Sequence, residues 1–555
     1  MRMSFSRIVV GLALITAIFT IGKTLFLGAD LIAVVPWLDQ WVTAFIFVIK
    51  GGFGLQDMFA QHNEHRVPLT FMIDMADMWM FGGKGWLEFA ITTLCMTAMS
   101  WAIWVGSTQE GKRFGVTQVG ALFVVVSLFF SVSQVEVWFW PFLVGNVLSN
   151  AFVVIALCVL PIAVSSKSKM LFLLAVILSG LAVFGLASGV LVWPLGLLVI
   201  LIIERKLTVK LVLWGLAGAL VMGLYFHGFV RPSYHANPLE SILHSPKDVL
   251  LFVVYLMGAP IGYFGKLVVG VLGVAILTSG LYVIASTGWL VLTKSKSPEP
   301  GALSMTAVLL FSFCCALAVA GSRLNFGLDH AFSSRYTTIP IMALAALYGF
   351  GFMRIKNRLL QYQGGWLIFL LLMLVSYPRD IGILRAISGT LKTAGIALVL
   401  KINDQEVFSK ITPSSERVPQ AGAFFEKRNV SVFRDKKYPV DVLLSDIGRK
   451  SYPHGCSGGI EKSESISADG QAIRLTGWAR MDAPPHIPRR IAFVEKSTDK
   501  VIGWAEPGGA SAPIEGLMEG TVNKKRWVGY AKTTNSDGVR VYALDSKSRE
   551  FCLLE

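Results

Sequence analysis

Along the first 377 residues, long apolar runs alternate with short polar connections. A lipid interior offers backbone amides no partner, so apolar runs of about twenty residues predict membrane-crossing helices that satisfy their hydrogen bonds internally. The pattern predicts about eleven such helices, over 7–28, 87–107, 116–133, 143–163, 170–187, 190–204, 211–227, 266–293, 303–322, 338–353 and 365–377. Residues 170–204 read either as two spans around a bend near Ser188–Gly189 or as one broken helix. The first run, Ile8 to Leu27, has the length of a signal peptide, but no small-residue cleavage site follows it. With many further spans behind it, it reads as a retained first helix.

The pattern changes in two steps beyond the last run. Residues 378–414 keep an amphipathic spacing (Ile381, Leu384, Ile387, Leu391), which predicts a connection lying at the membrane surface. From about 415 the chain turns to short alternating segments punctuated by Gly, Pro, Asn and Asp: Ala472–Trp478, Arg490–Glu495, Val501–Ala505, Arg526–Ala531, Val539–Leu544 and Phe551–Leu554. Period-two alternation of this kind predicts an all-β, sandwich-like domain or small barrel, with no run of helical period. The organisation is therefore a helical transmembrane domain over 1–377 with a large first loop at 29–85, a surface connection at 378–414, and a β domain at 415–555. Three segments of the β domain share a Gly-aromatic-Ala step: Leu475-Thr-Gly-Trp-Ala479, Val501-Ile-Gly-Trp-Ala505 and Trp527-Val-Gly-Tyr-Ala531. Core packing is the favoured reading for Trp478, Trp504 and Tyr530, with glycan stacking as the alternative.

Composition agrees with the pattern. Hydrophobic residues make up 54% of the 555 positions and charged residues 15%, against roughly 25% charged in soluble domains. The net charge of +15 would suit a nucleic-acid partner, but its distribution argues against one. In the membrane half, basic residues cluster in short connections at alternate ends of the spans: Arg2 and Arg7, Lys112 and Arg113, Lys167 and Lys169, Arg205 with Lys206 and Lys210, Lys294 and Lys296, then Arg354, Lys356 and Arg358. That bias places the N-terminus in the cytoplasm. An odd number of spans then puts the C-terminal domain outside a bacterial cytoplasmic membrane, in the periplasm. The long loops, 29–85, 228–264 and 323–337, fall on the same side. Four cysteines (Cys95, Cys158, Cys314, Cys315) sit in apolar spans, whereas Cys456 and Cys552 lie near the two ends of the C-terminal domain. In an oxidising compartment that pair would close a long loop and stabilise the domain by roughly 3–5 kcal/mol. The alternative is two unrelated thiols.

Candidate chemistry gathers in the outer loops. The first contains Val35-Pro-Trp-Leu-Asp-Gln-Trp41 and Gln61-His-Asn-Glu-His-Arg-Val-Pro68, with Asp39 beside two tryptophans suited to a membrane interface. A carboxylate there can take a proton from an attacking hydroxyl, and neighbouring His62, His65 or Arg66 can hold a phosphate. Loop capping and ion pairing use the same residue types. The His62-Asn-Glu-His65 order lacks the i, i+4 histidine pair of a zincin, so no zinc site is assigned. A divalent ion shared with phosphate oxygens stays open. In the 323–337 loop, Arg323 and Arg335 flank Asp329, His330 and Tyr336. Guanidinium groups at a membrane boundary suit bidentate phosphate recognition, or else snorkel as anchors. Asp329 and His330 could pair with each other and do no more. Gln134 and Glu136 lie among aromatics in Ser133-Gln-Val-Glu-Val-Trp-Phe-Trp-Pro141, where an acid needs a partner. Arg231, Tyr234, His235 and His244 complete the polar outer residues.

These segments carry a resemblance. PWLDQW, QHNEHRVPL with the following FGG, SQVEVWFWPF, and SRLNFG with SSRY, together with the layout of residues 1–377, resemble the GT-C superfamily of membrane glycosyltransferases. The likeness is to bacterial glucosyltransferase or arabinosyltransferase-like members acting on O-antigen, pilin or other envelope glycans. It implies a polyprenyl-phosphate-linked sugar as donor, a glycan or glycoprotein acceptor, and inverting transfer by direct displacement. Asp39 would be the base or would orient the acceptor, Glu64 with His62, His65 and Arg66 would line the same cavity, and Arg335 would hold the donor phosphate. From their own positions Glu136, Arg323 and Tyr336 are further candidates for binding the substrate and its phosphate. No paired-acid motif of Asp-x-Asp or Glu-x-Asp type occurs in the first loop, so no metal cofactor is required on this reading. Two other classes stay open. An O-antigen ligase or polymerase would place its chemistry in a long late loop rich in arginine and histidine. A lipid-linked glycan transporter or flippase would show internal repeats and mid-span charges, which are not apparent here.

Overall fold

The structure is a computed structural model describing residues 2–32, 35–50, 54–108, 115–231, 238–293, 298–355, 359–450, 452, 455–466, 471–482, 485–508, 526–545, 548 and 550–554. Lys112, Arg113, Tyr234, His235, Lys294, Lys296, Lys356 and Arg358 lie outside the described residues. The chain forms two compact units. The first comprises residues 1–29, 55–72 and 88–380, and the second 30–54, 73–87 and 381–555.

The first unit is built from apolar helices, and among the described residues ten helical segments are long and apolar enough to cross a membrane. Each segment of the sequence pattern coincides with a helix. The expected eleventh span is the shorter helix Lys169–Val183. It is separate from Val192–Glu204, with a 3-10 turn over Ala187–Leu191 between them, which settles the 170–204 alternative in favour of two helices.

Two features depart from expectation. The 228–264 loop contains helices Pro238–His244 and Pro246–Gly258, the second burying Val249, Phe252, Val253, Leu256 and Met257. It packs closely on the helix Gly265–Thr293, because a Cβ on Gly258 would lie 2.0 Å from the Val269 carbonyl oxygen, and one on Gly273 1.9 Å from that of Val254. Small residues permit such an approach. The second departure is the last helix, which runs unbroken from Leu359 to Val399 over 41 residues. At 1.5 Å per residue that is about 60 Å, twice the bilayer core. The backbone does not change where the apolar run ends at 377, so the separate connection expected at 378–414 begins as the continuation of this helix.

The second unit begins with helix and not with strand. Helix Val418–Arg428 buries Val418, Ala421, Gly422 and Phe425, a helical spacing within the stretch expected to be all β. The named strands of the C-terminal sheet start only at Cys456. After a two-stranded hairpin in the first unit (β1, Gln61–His62; β2, His65–Arg66), they are β3 (Cys456–Ser465), β4 (Ile473–Met481), β5 (Arg490–Glu495), β6 (Val501–Pro507), β7 (Arg526–Ala531), β8 (Val539–Leu544) and β9 (Phe551–Leu553). They form one antiparallel sheet in the order β3-β4-β7-β6-β5-β8-β9. The disulfide Cys456–Cys552 joins the two edge strands, so the sheet is a half-barrel strapped across its opening.

Each face of this sheet has its own core. Leu475, Ile491, Phe493, Ala505 and Trp527 pack on one side. Val494, Trp504, Tyr530 and Tyr542 pack on the other, together with Leu398, Phe408 and Phe425 from the helical segments. The Gly-aromatic-Ala step has a steric origin. A Cβ on Gly503 would lie 1.9 Å from the Tyr530 carbonyl oxygen, one on Gly529 2.1 Å from that of Trp504, and one on Gly477 2.0 Å from that of Gly459. The glycines let neighbouring strands approach. Trp504 and Tyr530, paired across β6 and β7, are core residues at 1% and 0% exposure, whereas Trp478 is 37% exposed. Arg474 of β4 binds the buried carboxylate of Asp404 through Nη2 (2.5 Å) and Nε (3.0 Å), and Tyr530 Oη donates to the same carboxylate at 2.7 Å. This network ties the sheet to the short helix Gln405–Ser409, which Asp404 caps.

Candidate functional site

The first unit gathers most of the conspicuous polar residues into one cluster. The hairpin β1–β2 turns through Asn63, in the left-handed region at φ 51°, and Glu64. It is held by Arg66, whose guanidinium donates to the carbonyls of Tyr225 (2.9 Å), His227 (2.6 Å) and Phe59 (2.5 Å). Arg66 thus caps the C-terminal end of helix Val209–Phe226 and anchors the hairpin. The His62 ring packs edge-on against Phe142, with centroids 5.2 Å apart. Glu64 forms an ion pair with Arg323, the last residue of helix Pro300–Arg323, and lies 3.5 Å from His65 Nε2.

From Arg323 the contacts continue along the 323–337 loop. Arg323 Nε donates to Tyr336 Oη at 3.3 Å, and His330 Nε2 lies 3.5 Å from Tyr336 Oη and 3.4 Å from Arg335 Nη2. The Arg335 guanidinium lies over Trp140 and Tyr336, 5.9 and 5.4 Å from their ring centroids. Its Nε is buried and has no hydrogen-bond partner among the described residues. Beneath the loop, Glu136 Oε2 accepts from Ser333 Oγ (3.0 Å), Ser334 Oγ (2.9 Å) and the Arg335 amide (2.9 Å). A carboxylate bound in this way fixes the backbone that presents Arg335. Burial and the adjacent Arg335 and Arg323 charges lower the His330 pKa to about 4, against the weaker pull of Glu136. The imidazole is therefore neutral at pH 7, and the cluster's positive charge rests on its arginines.

Asp39 belongs to the second unit. It is half-buried, immediately before helix Gln40–Lys50, and its carbonyl accepts from the Val42 amide at 3.0 Å. The preceding Leu38 takes φ 48° and donates its N–H to the Ile411 carbonyl at 2.7 Å. An acidic residue at a helix start also suits the helix dipole. Trp41, expected at a membrane interface, is a core residue at 1% exposure and stacks on Phe45 at 5.4 Å.

The structure thus brings Glu64, His65, Glu136, Arg323, Arg335 and Tyr336 together through direct contacts, and turns His62 and Arg66 to packing and anchoring. Asp329 and His330, for which the sequence allowed a mutual pair, go separate ways: Asp329 pairs with Lys266 at 2.6 Å, and His330 joins the arginine cluster. Sequence reading missed the parts played by His330, Ser333, Ser334 and Trp140. Trp140 was visible only as one aromatic among several, and the serines carried no signal. Among the described residues no group of three or more His, Cys, Asp or Glu is arranged to hold a metal ion. No protein-family profile, curated protein or solved structure matches the chain.

Proposed function

We propose that this protein is a membrane glycosyltransferase that moves a sugar from a polyprenyl-phosphate donor to an envelope glycan or glycoprotein on the periplasmic side of the bacterial cytoplasmic membrane. The observation that supports the reading is the Arg323–Arg335 cluster: two guanidinium groups beside a neutral histidine and a tyrosine hydroxyl, with a buried, unbonded Arg335 Nε. Arginine forks match phosphate oxygens, and an aromatic wall behind Arg335 keeps the fork in place. The donor phosphate would lie against these groups, with Glu64 orienting Arg323. In the proposed step the acceptor oxygen attacks the anomeric carbon from the face opposite the phosphate. The carbon–oxygen bond to phosphate breaks, its electron pair leaves on the phosphate, and the acceptor proton passes to a general base, the role that the family resemblance gives to Asp39. The products are the glycosylated acceptor, inverted at that carbon, and polyprenyl phosphate.

A second reading has one observation in its favour. The late 323–337 loop contributes two arginines and a histidine to a single cluster, as a ligase acting on a diphosphate-linked glycan would require. Purified protein supplied with polyprenyl-phosphate sugars and, separately, polyprenyl-diphosphate glycans separates the two. Transfer from monophosphate donors, lost on Asp39→Asn, supports the glycosyltransferase. Transfer from diphosphate donors alone moves the assignment to the ligase, and transfer that persists in Asp39→Asn removes that residue as base.

A further inference from the structure

The second unit holds an unbalanced charge cluster that the proposed transfer does not use. Glu506 of β6 is buried at 5% exposure and forms ion pairs with two lysines, with Arg490 close enough to feel its charge. Lys437 forms an ion pair with its Oε1, Lys392 Nζ lies 3.4 Å from its Oε2, and Tyr438 Oη donates to Oε1 at 2.6 Å. Arg490, the first residue of β5, lies over Tyr438 and Trp504, 5.7 and 6.0 Å from their centroids. Its Nη1 donates to the Lys437 carbonyl at 2.6 Å, while its Nε is buried with no hydrogen-bond partner among the described residues. Trp504 Nε1 donates to the Pro439 carbonyl at 2.8 Å, which fixes the segment carrying Lys437 and Tyr438 against the sheet.

The charge count is unequal. Lys392, Lys437 and Arg490 against Glu506 leave two positive charges in excess. Like charges held in poorly solvated surroundings are costly unless a counter-charge completes them. Burial, with Arg490 and Lys392 adding repulsion against the attraction of Glu506, pushes the Lys437 ammonium below the usual lysine range. The lysine side chains are 25% and 23% exposed, so a solute can reach them. A phosphate monoester carries up to two negative charges near neutrality and offers oxygens to both an arginine fork and lysine ammonium groups.

We propose that Lys392, Lys437 and Arg490 form a phosphate-binding site in the C-terminal unit, taking a phosphate monoester from an anionic lipid headgroup or from a soluble phosphate compound. The test is thermal unfolding of the purified full-length protein in two arms. One titrates inorganic phosphate in neutral detergent against chloride at matched ionic strength. The other compares phosphatidylcholine nanodiscs with and without phosphatidic acid. Ligand that binds only the folded state raises the Tm in a saturable way. A rise in either arm identifies the source, and it is expected to vanish in Lys392→Gln. Without phosphate, Lys392→Gln keeps or raises the wild-type Tm, because Glu506 retains Lys437 and Tyr438 and one repulsion is gone. Arg335→Gln separates this site from the proposed donor site, since it leaves the phosphate-dependent rise intact. No rise in either arm, or a rise that survives Lys392→Gln, overturns the proposal.

Discussion

Glu136 and His330 show how the cluster in the first unit divides its labour. Glu136 accepts two hydroxyls and an amide on one oxygen and holds the loop, whereas His330 sits neutral beside two arginines. Its lowered pKa has a consequence for stability. An unfolded histidine titrates near 6.5 and this one at about 4, so between those values the unfolded chain binds the extra proton. Folding free energy is unaffected above pH 6.5 and falls as pH drops toward 4. His330→Asn should flatten that part of the Tm-against-pH profile, and identical profiles would show that the imidazole titrates normally. The charged members of the cluster were legible in the sequence because charges at apolar boundaries stand out. Their partnerships were not. Glu64 meets Arg323 across 259 positions and Glu136 meets Ser334 across 198, distances over which local pattern has no reach.

Among the elements, long apolar helices were legible from hydrophobicity alone, since each span must hide its own backbone. Pro246–Gly258 and Val418–Arg428 were not, because thirteen and eleven residues are too short for that signal. The strands of the C-terminal sheet were visible by alternation, and the Gly-aromatic-Ala step was visible as a repeat whose meaning needed the register. The glycines are spacers. Gly529→Ala would force a Cβ to within 2.1 Å of the Trp504 carbonyl oxygen and 2.3 Å of Ala505 Cβ. Separating β6 from β7 should cost about 3 kcal/mol, at the upper end for overpacking. Gly459→Ala, with nothing within 4 Å, is the control and should be nearly neutral. Equal denaturation midpoints for the two variants would refute the spacer role.

At the scale of the whole molecule the chain has a helical unit with ten segments long and apolar enough to cross a membrane, among the described residues, and a unit that carries the disulfide-strapped half-barrel. The cross-link closes a separation of 96 residues between the edge strands. Cys552→Ser should cost about 3–5 kcal/mol and leave the domain sensitive to protease. A wild-type gel mobility that reductant does not change would argue against an oxidising location. The central claim is that Arg335 serves a donor phosphate at the outer face, and steady-state transfer from a polyprenyl-phosphate sugar tests it most directly. Arg335→Gln should lower kcat/KM by about 100-fold or more, the loss of roughly 3 kcal/mol carried by charged hydrogen bonds, with Arg335→Lys recovering part of the rate. Wild-type kcat/KM in Arg335→Gln would contradict it.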